Sequence, residues 1–209
     1  MAKDKLPRNL SEGCRLCYQG AKLVLFITGR CPRTCWYCPL SAERKDQDVI
    51  FANDRQITSP KEAIEEAEIM DALGTGVTGG EPLFEIERVV EYCTALKDHF
   101  GKEHHIHLYT GKAPTEEELS RLSPVVDEIR MHPPHELWPN VMQSAYPKSI
   151  AAAKKMGFDV GIEVPSLQGL RHFFPLLNSL DFFNINQLEW GDANADAMRE
   201  RKLEPVNPL

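Results

Sequence analysis

The chain has 209 residues, with 24 Lys and Arg against 31 Asp and Glu, giving a formal net charge of −7. That length suits one domain with a substantial core and is short for two, and that charge argues against a uniformly basic nucleic-acid surface. No apolar run approaches the roughly 18–20 residues of a membrane span, and the polar opening MAKDKLPRNLSEG has no apolar signal region, so the expected compartment is the cytoplasm, without a membrane partner.

Residues 1–21 form a polar lead that carries Cys14 and Cys17 as a CxxC pair. The core domain is expected over residues 22–209. It begins with KLVLFITG (22–29), a short apolar run rich in β-branched and aromatic residues and closed by glycine, which reads as a buried strand. Directly after it stands GRCPRTCWYCPLS, with Cys31, Cys35 and Cys38 within eight positions. A charged loop then leads to SPKEAIEEAEIMDALG, where Ser59, Pro60 and Glu62 form the start of a helix and Gly74 its end.

The alternation continues. TGVTGG (75–80) reads as a strand, and a helix from about Glu85 carries Ile86, Val89, Val90, Cys93, Leu96 and Phe100 at helical spacing. HIHLYTG is followed by TEEELSRL, VVDEIRMH by PKSIAAAKKMG, FDVGIEV by SLQGLRHFFPLLNSL, and FFNINQLEW by DANADAMRERKL. Six strand–helix units predict an α/β fold with parallel strands, either a partial or full barrel or a doubly wound sheet. In each case chemistry belongs at the strands' carboxyl ends, where the three cysteines sit.

In a reducing compartment, six cysteines point to metal ligands, catalytic groups or buried thiols rather than to a disulfide framework. A structural zinc site takes four protein ligands. Three thiolates from one loop suit a [4Fe-4S] cluster with one iron left open, whereas electron-transfer clusters normally use four cysteines.

The CxxxCxxC loop after the first strand, with Tyr37 just before its last cysteine, resembles the radical S-adenosylmethionine (SAM) superfamily. Gly79-Gly80-Glu81-Pro82 after the second strand is similar to that superfamily's GGEP motif. Within the superfamily the stretch CRLCYQGAKLVLFITGRCPRTCWYCPLS looks most like archaeal proteins related to pyruvate formate-lyase activating enzyme. The resemblance implies a partial (β/α)6 barrel and an enzyme. Its cofactors would be SAM and a [4Fe-4S] cluster on Cys31, Cys35 and Cys38, with reductive cleavage of SAM giving a 5′-deoxyadenosyl radical for hydrogen abstraction. It also implies a flavodoxin- or ferredoxin-like electron donor and a substrate that is a partner protein, a small molecule or RNA, the net charge leaning against RNA. A non-catalytic iron–sulfur or zinc protein is the rival from another class.

By the same resemblance, Tyr37 packs near the adenine and shields the cluster, Gly79, Gly80 and Glu81 contact the methionine moiety, and Glu128 with Arg130 holds ribose and carboxylate. Thr110, Glu163, Asn184, Asn186 and Glu189 are polar groups near the expected mouth and candidates for cofactor or substrate contact, Thr110 and Glu163 for the cofactor, and His132 and His135 flank two prolines there. Cys14 and Cys17 are candidates for a second metal or redox site, while Cys93 lies on an apolar helix face and reads as a core thiol. The archaeal proteins of this group carry further sequence after the sixth unit, whereas this chain ends in EPVNPL.

Overall fold

The structure is a computed structural model and describes residues 10–204. The first nine residues of the polar lead and the final five residues lie outside the described residues. In chain order the elements are α1 (Glu12–Tyr18), β1 (Lys22–Phe26), β2 (Ile50–Ala52), β3 (Arg55–Ile57), α2 (Pro60–Ile69), β4 (Gly74–Thr78), α3 (Ile86–Phe100), β5 (His105–Thr110), α4 (Glu116–Leu122), β6 (Glu128–Met131), α5 (Tyr146–Lys155), β7 (Asp159–Pro165), β8 (Phe182–Asn186) and α6 (Ala195–Glu200).

The sheet order is β3-β2-β1-β4-β5-β6-β7-β8, and the six strands from β1 through β8 that alternate with helices pair in parallel. Each new strand adds beside the last. A doubly wound sheet reverses its order partway, so this order is that of an unclosed (β/α)6 barrel. The helices start where the capping chemistry places them: Glu62 reaches back to Ser59 N at 3.0 Å, and Thr115 and Glu118 exchange bonds at 3.2 and 2.9 Å.

Three elements depart from the sequence reading. The charged loop before α2 contains the antiparallel hairpin β2–β3, which pairs with β1; its strands are three residues long, too short for a period-2 signal. The segment SLQGLRHFFPLLNSL forms 3-10 turns over Leu170–Ser179, not an α-helix, with Pro175 inside it. Within the N-terminal lead, α1 forms behind an N-cap in which Ser11 Oγ accepts from Cys14 N.

Alternate side chains of each strand divide the molecule. Outward-facing Leu23, Leu25, Val77, Ile106, Leu108, Ile129, Val160 and Ile162 pack against Ala63, Ala67, Val89, Cys93, Leu96, Leu119 and Ile150 of the helices. The inward set is polar and aromatic, and small residues make room for it. A Cβ on Gly76 would lie 2.6 Å from the His107 ring, and one on Gly161 would lie 2.1 Å from the Phe182 ring.

Helix α1 closes the barrel's amino end. Gly13 N donates to Glu128 Oε2 at 3.2 Å, and a Cβ on Gly13 would fall 2.6 Å from Arg130 Nη2 and 2.7 Å from His107 Nδ1. Only glycine lets the helix come this close. Lys22, the first residue of β1, donates to Thr75 O at 3.1 Å and His105 O at 2.7 Å. Burial pushes its ammonium down to about 8, against the pull of Cys17 and Glu128.

Candidate active site

At the carboxyl ends of the strands, the loop after β1 and the loop after β4 are joined by backbone hydrogen bonds. Ile27 N donates to Thr78 O (2.9 Å), Gly80 N to Thr28 O (2.7 Å) and Glu81 N to Arg30 O (2.8 Å). The two loops therefore extend the β1–β4 pairing past the strand ends. A Cβ on Gly80 would sit 2.5 Å from Arg30 O, and one on Gly79 would sit 2.6 Å from Thr28 O. These glycines are required by the close approach of two backbones.

The two loops wall a cavity of about 410 Å³, a size typical of small-molecule sites. Cys31, Cys35 and Cys38 line it, with Tyr37, Gly79, Gly80, Glu81, Thr110, Glu163, Asn186 and Glu189. The thiols are partly buried, and burial pushes those of Cys31 and Cys35 up. Their thiolates would be favoured by a bound cation, which reverses that penalty.

Glu81 is held from every side. Its carboxylate accepts from Thr110 Oγ1 (2.8 Å), Gly111 N (2.8 Å), Lys112 N (3.0 Å) and Leu83 N (3.1 Å). Burial pushes its pKa up and these donors offset only part of that shift. This carboxylate ties the loop after β4 to the loop after β5.

Tyr37 is fixed equally firmly. Its hydroxyl lies 2.9 Å from His132 Nε2, and His132 Nδ1 lies 2.8 Å from Glu163 O, so the histidine links the cysteine loop to β7. Burial lowers the His132 pKa, against the pull of the Glu163 carbonyl. Behind the cysteine loop, Asn194 donates to Tyr37 O at 3.0 Å and Glu189 O at 2.9 Å.

Glu163 reaches the cavity from β7 and accepts four bonds: Tyr109 (3.0 Å) and Asn186 (2.8 Å) on Oε1, Arg130 (2.8 Å) and Asn184 (2.8 Å) on Oε2. Burial raises its pKa, but Arg130 and the two asparagines more than offset this and hold it below the ordinary value.

Glu128 and Arg130 lie elsewhere. Both face the barrel interior, but Glu128 begins β6 and is sealed under α1, with Arg130 Nε donating to its Oε1 at 2.5 Å. Neither lines the cavity, where the expectation that the pair grips ribose and carboxylate would place them; Arg130 reaches its wall through Tyr109 at 2.8 Å and Glu163 at 2.8 Å. His135 bonds outward to Gln168 O, while Cys93 is buried in the core with its thiol pushed up to about 12.

Tyr109 and Arg33 are among the lining residues missed from sequence. Tyr109 neighbours the predicted Thr110, and its signal was the inward alternation of β5. Arg33 lies between two of the cysteines, and its Nε is buried with no hydrogen-bond partner among the described residues. A charge inside a CxxxC spacing was the available signal.

A family model described as Radical SAM superfamily matches residues 25–133, more than half of the chain, from β1 past β6. The chain belongs to the radical SAM superfamily. A Methanocaldococcus jannaschii protein that carries the name "Putative glycyl-radical enzyme activating enzyme" is 41% identical, over 99% of this chain and 56% of the relative. The chain thus spans about half the length of that curated relative. Radical SAM proteins generally use a [4Fe-4S] cluster and SAM. No helix among the described residues is long and apolar enough to cross a membrane.

Proposed function

We propose that the protein is a radical SAM activating enzyme that generates a radical on a partner protein. The observation that carries this reading is the convergence of three thiols from one loop and the Gly79–Gly80 loop on a single cavity. The donor set fits the cluster: Cys31, Cys35 and Cys38 are soft ligands for three irons, and the other three cysteines lie at the floor and in the core. A cluster held by these three thiolates would keep one iron without a protein ligand and so available to SAM.

When bound, cluster and SAM supply one-electron cleavage to methionine and a 5′-deoxyadenosyl radical, the electron coming from a flavodoxin- or ferredoxin-like donor. The protein's share is positioning and exclusion of water. The Gly79–Gly80 backbone holds the methionine end, and Tyr37, pinned by His132, covers the adenine and shields the cluster. Glu163, kept ionised by Arg130, and Thr110 present oxygens to the rest of the cofactor. Glu81 serves by fixing the wall. The name of the M. jannaschii relative supports a protein substrate over a small molecule or RNA.

Reconstituted, reduced protein with SAM is to be mixed with native cell extract split into macromolecules and a small-molecule filtrate. Faster 5′-deoxyadenosine formation with the macromolecular fraction, together with an oxygen-sensitive protein radical in electron paramagnetic resonance, supports the proposal. Stimulation by the filtrate alone overturns the protein substrate.

A further inference from the structure

Helix α1 carries Cys14 and Cys17 on the barrel floor, outside the residues that line the cavity. Three residues apart on one helix, their Cα atoms are about 5 Å apart, inside the roughly 4.4–6.8 Å that a disulfide spans. The two sulfurs have different surroundings. Cys14 Sγ accepts from Arg130 Nη2 at 3.4 Å and Asn184 Nδ2 at 3.3 Å, while Cys17 is solvent-exposed and lies near the Lys22 ammonium.

We infer that Cys14 and Cys17 form a reversible dithiol–disulfide pair that exchanges two electrons with an external soluble dithiol. Reactive cysteines sit in electropositive, partly open surroundings; Arg130 and Lys22 supply the charge and the exposed Cys17 the access, while burial outweighs the two cations and pushes the Cys17 thiol up. The reductant's thiolate attacks the exposed Cys17 Sγ. The Cys17–Cys14 bond breaks, and its electron pair leaves on Cys14 Sγ, where Arg130 and Asn184 already donate. The reductant's second thiol gives up its proton, attacks its partner sulfur in the mixed disulfide and releases Cys17. Two electrons and two protons have passed to the pair, and the reductant has become a disulfide. Oxidation by a disulfide reverses each step.

The rival occupant is a metal ion, because His107 Nδ1 and His105 Nε2 are buried without hydrogen-bond partners among the described residues. Two cations, Arg130 and Lys22, stand beside the sulfurs and oppose a third. Arg130 also donates to Glu163. The redox state of the pair is therefore one residue from the mouth.

The full chain is to be equilibrated anaerobically in glutathione buffers of graded ratio, trapped with acid and alkylated, and the Cys14–Cys17 peptide weighed. The expected result is a single two-electron transition to an intrapeptide disulfide, absent in Cys17→Ser. Asn184→Ala removes one donor to the leaving sulfur and shifts the exchange equilibrium about threefold to tenfold toward the disulfide; Arg130→Lys shifts it in the same direction. A peptide that stays as two free thiols across all ratios overturns the proposal. So does zinc or iron that stays bound when Cys31, Cys35 and Cys38 are all serine and is lost with Cys17→Ser.

Discussion

Arg130 Nη1 donates to Glu163 Oε2 at 2.8 Å, and this bond joins the floor of the barrel to its mouth. The same guanidinium bonds Glu128, Tyr109, Ser11 and Cys14, so one buried cation organises two carboxylates on neighbouring strands. Burial alone would disfavour its charge, yet the surrounding Tyr109, Glu128 and Glu163 raise its pKa above the ordinary value.

Arg130→Met keeps most of the volume and leaves both carboxylates buried without their cation. Breaking a buried pair from one side costs about 3–5 kcal/mol, so urea unfolding is expected to shift by that amount. A change under about 1 kcal/mol contradicts the role given to Arg130.

Lys22 makes a prediction at alkaline pH. Its folded pKa, about 8, lies below its ordinary value of 10.5, so between those values the unfolded chain binds more protons and stability rises with pH. The shift corresponds to about 3 kcal/mol. Measured against Lys22→Met, the wild type is expected to gain up to that amount between pH 8 and pH 10.5. A flat difference across the window argues against a buried, bonded ammonium.

Glu81→Ala strips the acceptor from Leu83 N and Gly111 N, while Lys112 N keeps Thr110 Oγ1 at 3.0 Å. Each buried donor left alone costs about 1–3 kcal/mol, part of it recovered by water. The expected outcome is a loss of about 2–4 kcal/mol with reduced iron retention after reconstitution. Unchanged stability with lost SAM binding would instead make Glu81 a direct ligand.

Asn194→Ala releases the cysteine loop from the segment before α6. Loss of the bonds to Tyr37 O and Glu189 O is expected to cost about 1–3 kcal/mol and to lower bound iron although all three loop cysteines remain. Iron analysis beside a thermal melt separates the two effects.

The six strands and most of the helices between them were legible because the strands alternate or run apolar and α2 to α5 each have a cap or a glycine stop, Ser59–Glu62 and Thr115–Glu118 among them. The 3-10 turns over Leu170–Ser179 and the uncapped α6 have no such signal. The cysteine loop was legible because its spacing has few other uses. Helix α1 was not, since seven polar-flanked residues give no period, and its reason for existing is tertiary: Gly13 fits only against Glu128 and Arg130. That contact also explains the displaced reading of Glu128 and Arg130. Alternation along β6 gave the correct face, but it does not say which end of the barrel a residue occupies. The bonds that occupy Glu81 were not legible, because three of its four donors, Thr110, Gly111 and Lys112, lie in one loop 29 to 31 residues further on.

The most direct measurement is 5′-deoxyadenosine formation by anaerobically reconstituted, reduced protein given SAM, with Cys35→Ala as control. The account predicts deoxyadenosine from the wild type and none above background from Cys35→Ala. Equal yields from both, or none from a wild type carrying a four-iron cluster whose paramagnetic resonance spectrum is unmoved by SAM, would contradict it.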